Sequence, residues 1–155
     1  MTKSDFEKLL APLMECLRDR PLDASLERHL NEVFPVGSPF YQSILKACRL
    51  GAAAGWICER EAAGIRYGRV IKPNPATNDF SVDVVQMRHF AGPHHMHPNG
   101  EIDLIIPTED NATMDNHPAG WLVYGPGSEH TPTVAGGCAY IMYLLPGGAI
   151  EFTRA

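Results

Sequence analysis

A chain of 155 residues with 45% hydrophobic and 20% charged residues has the composition of one ordinary globular domain, long enough to bury a core without disulfides. Its net charge of −5 argues against nucleic acid or an anionic membrane as the main partner, and no run approaches the roughly 20 apolar residues of a membrane span. Cys16, Cys48, Cys58 and Cys138 lack CxxC spacing, which fits free thiols in a reducing cytoplasm rather than a disulfide framework or a zinc knuckle.

The N-terminal MTKSDFEKLL lacks the apolar core of a signal peptide and reads as an amphipathic helix. Phe6, Leu9, Leu10, Leu13 and Leu17 recur on one face, Ser4 and Glu7 have the spacing of a capping box, and Pro12 is expected to kink the helix. A second helix is predicted from about Asp23 to Phe34, burying Leu26, Leu30, Val33 and Phe34. A third has Ser38 as cap and Pro39 in its first turn, and is expected to stop near Gly51. The segment AAAGWICEREAAG that follows reads equally as helix or loop.

From about Ile65 onward the chain becomes a series of short runs punctuated by glycine and proline. Strands are predicted near residues 66–71, 81–90, 101–107, 120–124, 132–134, 139–145 and 149–153, separated by turn clusters such as GPHHMHPNG, PGSEH, VAGG and LPGG. The expected fold is therefore mainly β, a barrel or sandwich over residues 61–155. Residues 1–60 form a helical segment packed on it, the two making one structural unit.

The chemistry concentrates in HHMHPNGEID, residues 94–103. Side chains alternate faces along a strand, so His95 and His97 point the same way. Pro98-Asn99-Gly100 supplies a turn that would return Glu101 to the same side. Two imidazoles and a carboxylate suit a borderline divalent transition metal such as Fe, Mn, Ni, Cu or Zn. His130, after the Pro-Gly turn of GPGSEH, is the candidate fourth ligand. Asp103 shares a strand face with Glu101, and an inward carboxylate requires a polar partner or a role, here a second-sphere or acid–base one. His94 adjoins the ligands and is a further catalytic candidate, although a regular strand would turn it to the opposite face. His29, His89 and His117 read as structural or solvent-facing.

HxHxxxE at His95, His97 and Glu101, with Gly120 and then Pro126-Gly127-Ser128-Glu129-His130, resembles the two metal motifs of the cupin superfamily, covering about residues 81–152. One departure stands in the second motif, where Gly125 takes a position usually held by proline. The resemblance implies a jelly-roll β-barrel with one metal inside it, and a homodimer. The phrases HPNGEIDLIIP, AGWLVYGPGSEHTPTVAGG and YLLPGGAIEF further resemble the 4-hydroxylaminobenzoate lyase family, whose members also carry a helical segment ahead of the barrel. That implies conversion of 4-hydroxylaminobenzoate and water to 3,4-dihydroxybenzoate and ammonia, with Fe, Mn, Ni or Zn held by His95, His97, Glu101 and His130.

In this reading Asp103 would shuttle the proton, and Glu101 and His94 would be the other catalytic candidates. Arg69 or Arg88 would take the substrate carboxylate. Tyr124, Tyr140, Tyr143, Met142 and Trp121 would line a pocket for a small aromatic substrate. Two alternatives share the ligand set: an Fe(II)-dependent dioxygenase acting on an aromatic or thiol substrate, and a non-catalytic small-molecule-binding protein.

Overall fold

The structure is a computed structural model and describes residues 1–153. The N-terminal helical segment is divided more finely than its periodicity suggests. Helix α1 (Lys3–Leu9) is capped by a box between Thr2 and Asp5, not Ser4 and Glu7. Pro12 does not kink a long helix; it sits in the first turn of α2 (Ala11–Leu17), where a missing N–H leaves no bond broken. Helix α3 (Ala24–Val33) starts at Asp23, whose carboxylate accepts from the Leu26 N–H. Helix α4 (Pro39–Ala54) runs beyond Gly51 and stops at Gly55, left-handed at φ 88°, with its N–H bonded to the Gly51 carbonyl. The ambiguous AAAGWICEREAAG is thus a helix end followed by the first strand.

The strands are β1 (Arg60–Ala62), β2 (Ile65–Ile71), β3 (Phe80–Ala91), β4 (His95–His97), β5 (Glu101–Pro107), β6 (Thr113–Met114), β7 (Gly120–Tyr124), β8 (Ser128–His130), β9 (Thr133–Pro146) and β10 (Glu151–Phe152). They form a larger antiparallel sheet in the order β1-β2-β3-β9-β5-β7, with β6 pairing β9, and a smaller sheet in the order β10-β4-β8. This is the mainly β jelly-roll expected, with one qualification: the ladder does not close into a continuous barrel, although residues of both sheets line one interior cavity. The short strands β6 and β8 have too few residues to show a period, which is why the sequence reading passed over them. The expected VAGG turn is instead a distortion inside the single long strand β9. Gly136 and Gly137 take φ 79° and 156°, and the β3–β9 register jumps from Arg88↔Cys138 to Phe90↔Val134.

Both faces of β5, in the middle of the larger sheet, are buried. On β5, Ile102, Leu104 and Ile106 face outward into a core shared with Phe6, Leu13, Leu30 and Ile44 of the helices. Glu101, Asp103 and Ile105 face the interior between the sheets. A strand covered on both sides reads as an unbroken apolar run, so in EIDLIIP the two carboxylates stand out as the anomaly. Helix α3 also covers the free edge of β7. The Asn31 amide donates to the Trp121 carbonyl and accepts from its N–H, and Glu27 accepts from the Val123 N–H. Among the described residues no helix is long and apolar enough to cross a membrane.

Candidate metal centre and its cavity

Strands β4 and β8 pair antiparallel, with His95 opposite His130 and His97 opposite Ser128. The alternation along β4 sends His95 and His97 inward together. The turn after them is tight: the Gly100 N–H and the Gly127 N–H both bond to the His97 carbonyl, and Gly100 takes φ 89°. That reversal brings Glu101 Oε2 to 3.2 Å from His97 Nε2 and 3.7 Å from His130 Nε2. The ligand atoms of His95, His97, Glu101 and His130 all lie within 4.8 Å of one another.

Each imidazole is held by its other nitrogen. His95 Nδ1 is 3.0 Å from the Pro93 carbonyl, His97 Nδ1 3.0 Å from Ser128 Oγ, and His130 Nδ1 2.6 Å from Asp115 Oδ2. With Nδ1 committed, the three Nε2 atoms are free to face a common centre. Two observations show that this centre suits a cation. His97 Nε2 is buried with no hydrogen-bond partner, and His95 Nε2 stands 3.0 Å from His130 Nε2. Inward-facing lone pairs at that separation repel each other unless a cation or a shared proton lies between them. Burial pushes His95 and His97 down to about 4, so both are neutral ligands near neutral pH. Burial raises Glu101, and it raises Asp103 together with the neighbouring Glu101 charge. An electropositive ion is what would let both carboxyls ionise there.

Asp115 belongs to this centre, and the sequence reading missed it. Its carboxylate accepts from Tyr124 Oη at 2.5 Å and from the Thr133 N–H at 2.9 Å as well as from His130. Burial alone would raise it, but these hydrogen bonds, led by His130, hold it below the usual carboxylate range. No pattern in TEDNATMDNHPAG singles it out, because its partners come from strands further along the chain. Ser128 was likewise missed, although its place two residues before His130 puts it on the same strand face.

The centre lies on the wall of a cavity of about 530 Å³. The lining is otherwise apolar and includes Ile65, Val85, Met87, Phe90, Ile141 and Phe152, with His95, Glu101, Asp103, His130 and Tyr143 as its polar members beside Tyr67. One aromatic ring with small substituents fits such a space.

Several expected site residues lie elsewhere. Arg88 is exposed and pairs with Glu109 at the surface. Arg69 is committed to Asp83 Oδ1 at 2.8 Å and to the Gly148 carbonyl, outside the cavity lining. Tyr140, Met142 and Trp121 face the helices, because they share the outward phase of their strands. Tyr124 packs at a tilt against His97 and His130 and bonds Asp115 rather than lining the cavity. His94 turns away, its Nδ1 bonded to the Thr153 hydroxyl. Of the expected pocket aromatics, Tyr143 does line the cavity. His89 and His117 are exposed and His29 is half-buried on α3.

Residues 8–152 match the family model described as PnbB, 4-hydroxylaminobenzoate lyase. The chain belongs to this family. It is 31% identical over 161 residues to a 4-hydroxylaminobenzoate lyase of Nocardioides sp. (strain LMS-CY), covering 97% of this chain and 95% of that protein. It is also 33% identical over 153 residues to a 4-hydroxylaminobenzoate lyase of Pseudomonas putida, covering 88% and 87% of the two. The protein is an enzyme of the lyase class. Solved structures similar to it include an RmlC-like cupin protein from Ralstonia eutropha, with a TM-score of 0.45, 15% identity and coverage of 60% of this chain and 62% of that one. Another is a conserved protein with a double-stranded β-helix domain from Klebsiella pneumoniae, with a TM-score of 0.47, 20% identity and coverage of 66% and 94%.

Proposed function

We propose that this lyase is metal-dependent and converts 4-hydroxylaminobenzoate and water to 3,4-dihydroxybenzoate and ammonia. The observation that carries the metal requirement is the orphaned His97 Nε2, buried opposite Glu101 and facing the same centre as two further imidazoles. Family membership supports the substrate, and an apolar cavity the size of one substituted ring is consistent with it.

His95, His97, Glu101 and His130 would hold the ion. When bound, a divalent transition metal supplies Lewis acidity at the cavity wall. The protein residues do the rest. The Pro93 carbonyl and the Asp115 carboxylate fix the tautomers of His95 and His130 so that each presents Nε2, and Ser128 orients the ring of His97. The side chains of Val85, Met87 and Ile141 hold the ring and keep bulk water from its faces. Asp103 lines the cavity beside Glu101 with Oδ2 unpartnered, and it moves a proton between the incoming water and the departing nitrogen. The conversion is redox-neutral, so it requires no oxygen.

The test is anaerobic incubation of metal-analysed protein with 4-hydroxylaminobenzoate, measuring ammonia and 3,4-dihydroxybenzoate. Equimolar products that disappear on removal of the metal support the proposal. Product formed at full rate by metal-free protein sinks the metal requirement. Turnover that begins only when oxygen is admitted replaces the lyase reaction with a dioxygenase one.

A further inference from the structure

Backbone register places four residues in one row across one face of the larger sheet: Arg69 opposite Asp83, Asp83 opposite Tyr143, and Tyr143 opposite Asp103. Members of such a row stand side by side on one surface. Tyr143 and Asp103 line the cavity. The two carboxyls that flank Tyr143 differ in one respect. Asp83 is saturated, since Arg69 Nε donates to its Oδ1 at 2.8 Å and Ser81 Oγ donates to its Oδ2 at 2.8 Å. Asp103 is 1% exposed, and its Oδ2 has no partner. A buried carboxyl oxygen left unpaired is costly, and a ligand in the cavity is the available source of a partner. The Tyr143 hydroxyl stands in the field of Asp83, Glu101 and Asp103. Burial, reinforced by those charges, keeps it protonated well above its ordinary range, so it is a standing donor.

We propose that Tyr143 and Asp103 together read the polar substituent of the ring bound in the cavity. The Tyr143 hydroxyl donates a hydrogen bond to that substituent, and Asp103 Oδ2 bonds to it from the neighbouring strand. The proposal rests on the reading of the cavity as the site for a hydroxylamino-substituted ring. It makes Tyr143 a substrate-binding and specificity-determining residue, while Val85, Met87 and Ile141 touch only the ring faces. A ring without a polar substituent gains nothing from the pair, so the cavity selects against it.

The experiment compares Tyr143→Phe, which keeps the ring and removes only the hydroxyl, with the unmodified metal-loaded protein. Benzoate and 4-hydroxybenzoate are titrated into each by calorimetry, as unreactive probes without and with the substituent. The expected result is about a tenfold loss of affinity for 4-hydroxybenzoate, with benzoate binding within about twofold of the original and metal content unchanged. An equal loss for both probes, no loss for either, or an unmodified protein that does not prefer 4-hydroxybenzoate would overturn it. Product formation is scored separately. The selective loss without turnover of 4-hydroxylaminobenzoate leaves this inference standing and sinks the lyase reaction. Unchanged probe binding and turnover in Tyr143→Phe do the reverse.

Discussion

Asp115 Oδ2 lies 2.6 Å from His130 Nδ1 and 2.5 Å from Tyr124 Oη, so one carboxylate fixes both the ring that would bind a metal and the tyrosine packed against it. The histidine must then carry its proton on Nδ1 and offer Nε2 to the centre. Replacing Asp115 with Asn leaves one oxygen for three donors and frees the tautomer. Asp115→Asn should weaken metal affinity by roughly 10- to 100-fold with the fold intact. Chelator competition monitored by metal release, alongside circular dichroism, checks this. Unchanged affinity would mean that His130 is positioned by its strand alone.

Gly100 is the hinge that returns Glu101 to the histidines. Its φ of 89° is a left-handed conformation, and a Cβ there would come within 2.7 Å of the Tyr124 carbonyl oxygen and 2.8 Å of Leu22 Cδ2. The conformation alone costs a non-glycine residue roughly 1–2 kcal/mol, and the clash with backbone adds to it. Gly100→Ala should therefore lower unfolding free energy by about 2 kcal/mol or more and reduce bound metal at a given free concentration. Urea denaturation and metal analysis of the same preparation measure both effects.

How far the sequence disclosed this site follows from the range of the interactions. His95, His97 and Glu101 are joined by one turn, so alternation and turn chemistry bring them together with no knowledge of the rest of the chain. His130 is legible through its Pro-Gly turn. Asp115 is not, since it reaches His130 across a loop whose path is set by pairing of β6 with β9. Tyr140, expected to line the pocket, packs in the core with the helices instead. Tyr140 and Tyr143 sit on the same strand, and an odd spacing of three places them on opposite faces. Local patterning does not say which face is the cavity, because both faces of β9 are buried around these residues and apolar alternation loses its direction. The helices were legible as elements but not as a covering layer, which depends on tertiary contacts such as that between Asn31 and β7.

That contact has its own consequence. Asn31 satisfies both the N–H and the carbonyl of Trp121 at the edge of the larger sheet, at 2.9 and 3.0 Å. Asn31→Ala removes both partners and leaves part-buried backbone groups to compete for water. The expected cost is about 1–3 kcal/mol in unfolding free energy. Increased hydrogen exchange at residues 120–124 should accompany it, and a variant as stable as the original would show that α3 is held by apolar packing alone.

Arg88 gives the opposite expectation. It is exposed, and its ion pair with Glu109 lies on the surface, away from the cavity lining. Surface pairs of this kind contribute about 0–1 kcal/mol. Arg88→Ala should leave both KM and kcat for the lyase substrate within about twofold, and stability within about 1 kcal/mol. A large rise in KM would place Arg88 in substrate binding despite its position.

Two sets of buried residues should make the stability of the metal-free protein depend on pH with opposite signs. Burial pulls His95 and His97 from 6.5 to about 4 in the folded protein. Between those values the unfolded chain binds protons that the folded one refuses, so stability is fully present above 6.5 and is lost as pH falls toward 4. Glu101 and Asp103 have the opposite sign. Burial raises both, so the folded protein retains protons that the unfolded chain releases, and stability is lost as pH rises above the ordinary carboxylate range. The two contributions oppose each other between about 4 and 6.5, and only the carboxyls act from there to about 8, so urea midpoints of metal-free protein should change little below 6.5 and fall above it. Glu101→Gln has no charge to bury, so it should flatten the fall above 6.5 and uncover the histidines' rise below it. His97→Gln should leave the fall above 6.5 in place and tilt the lower range downward with rising pH. If Glu101→Gln left the fall above 6.5 unchanged, the buried carboxyls would not be its cause.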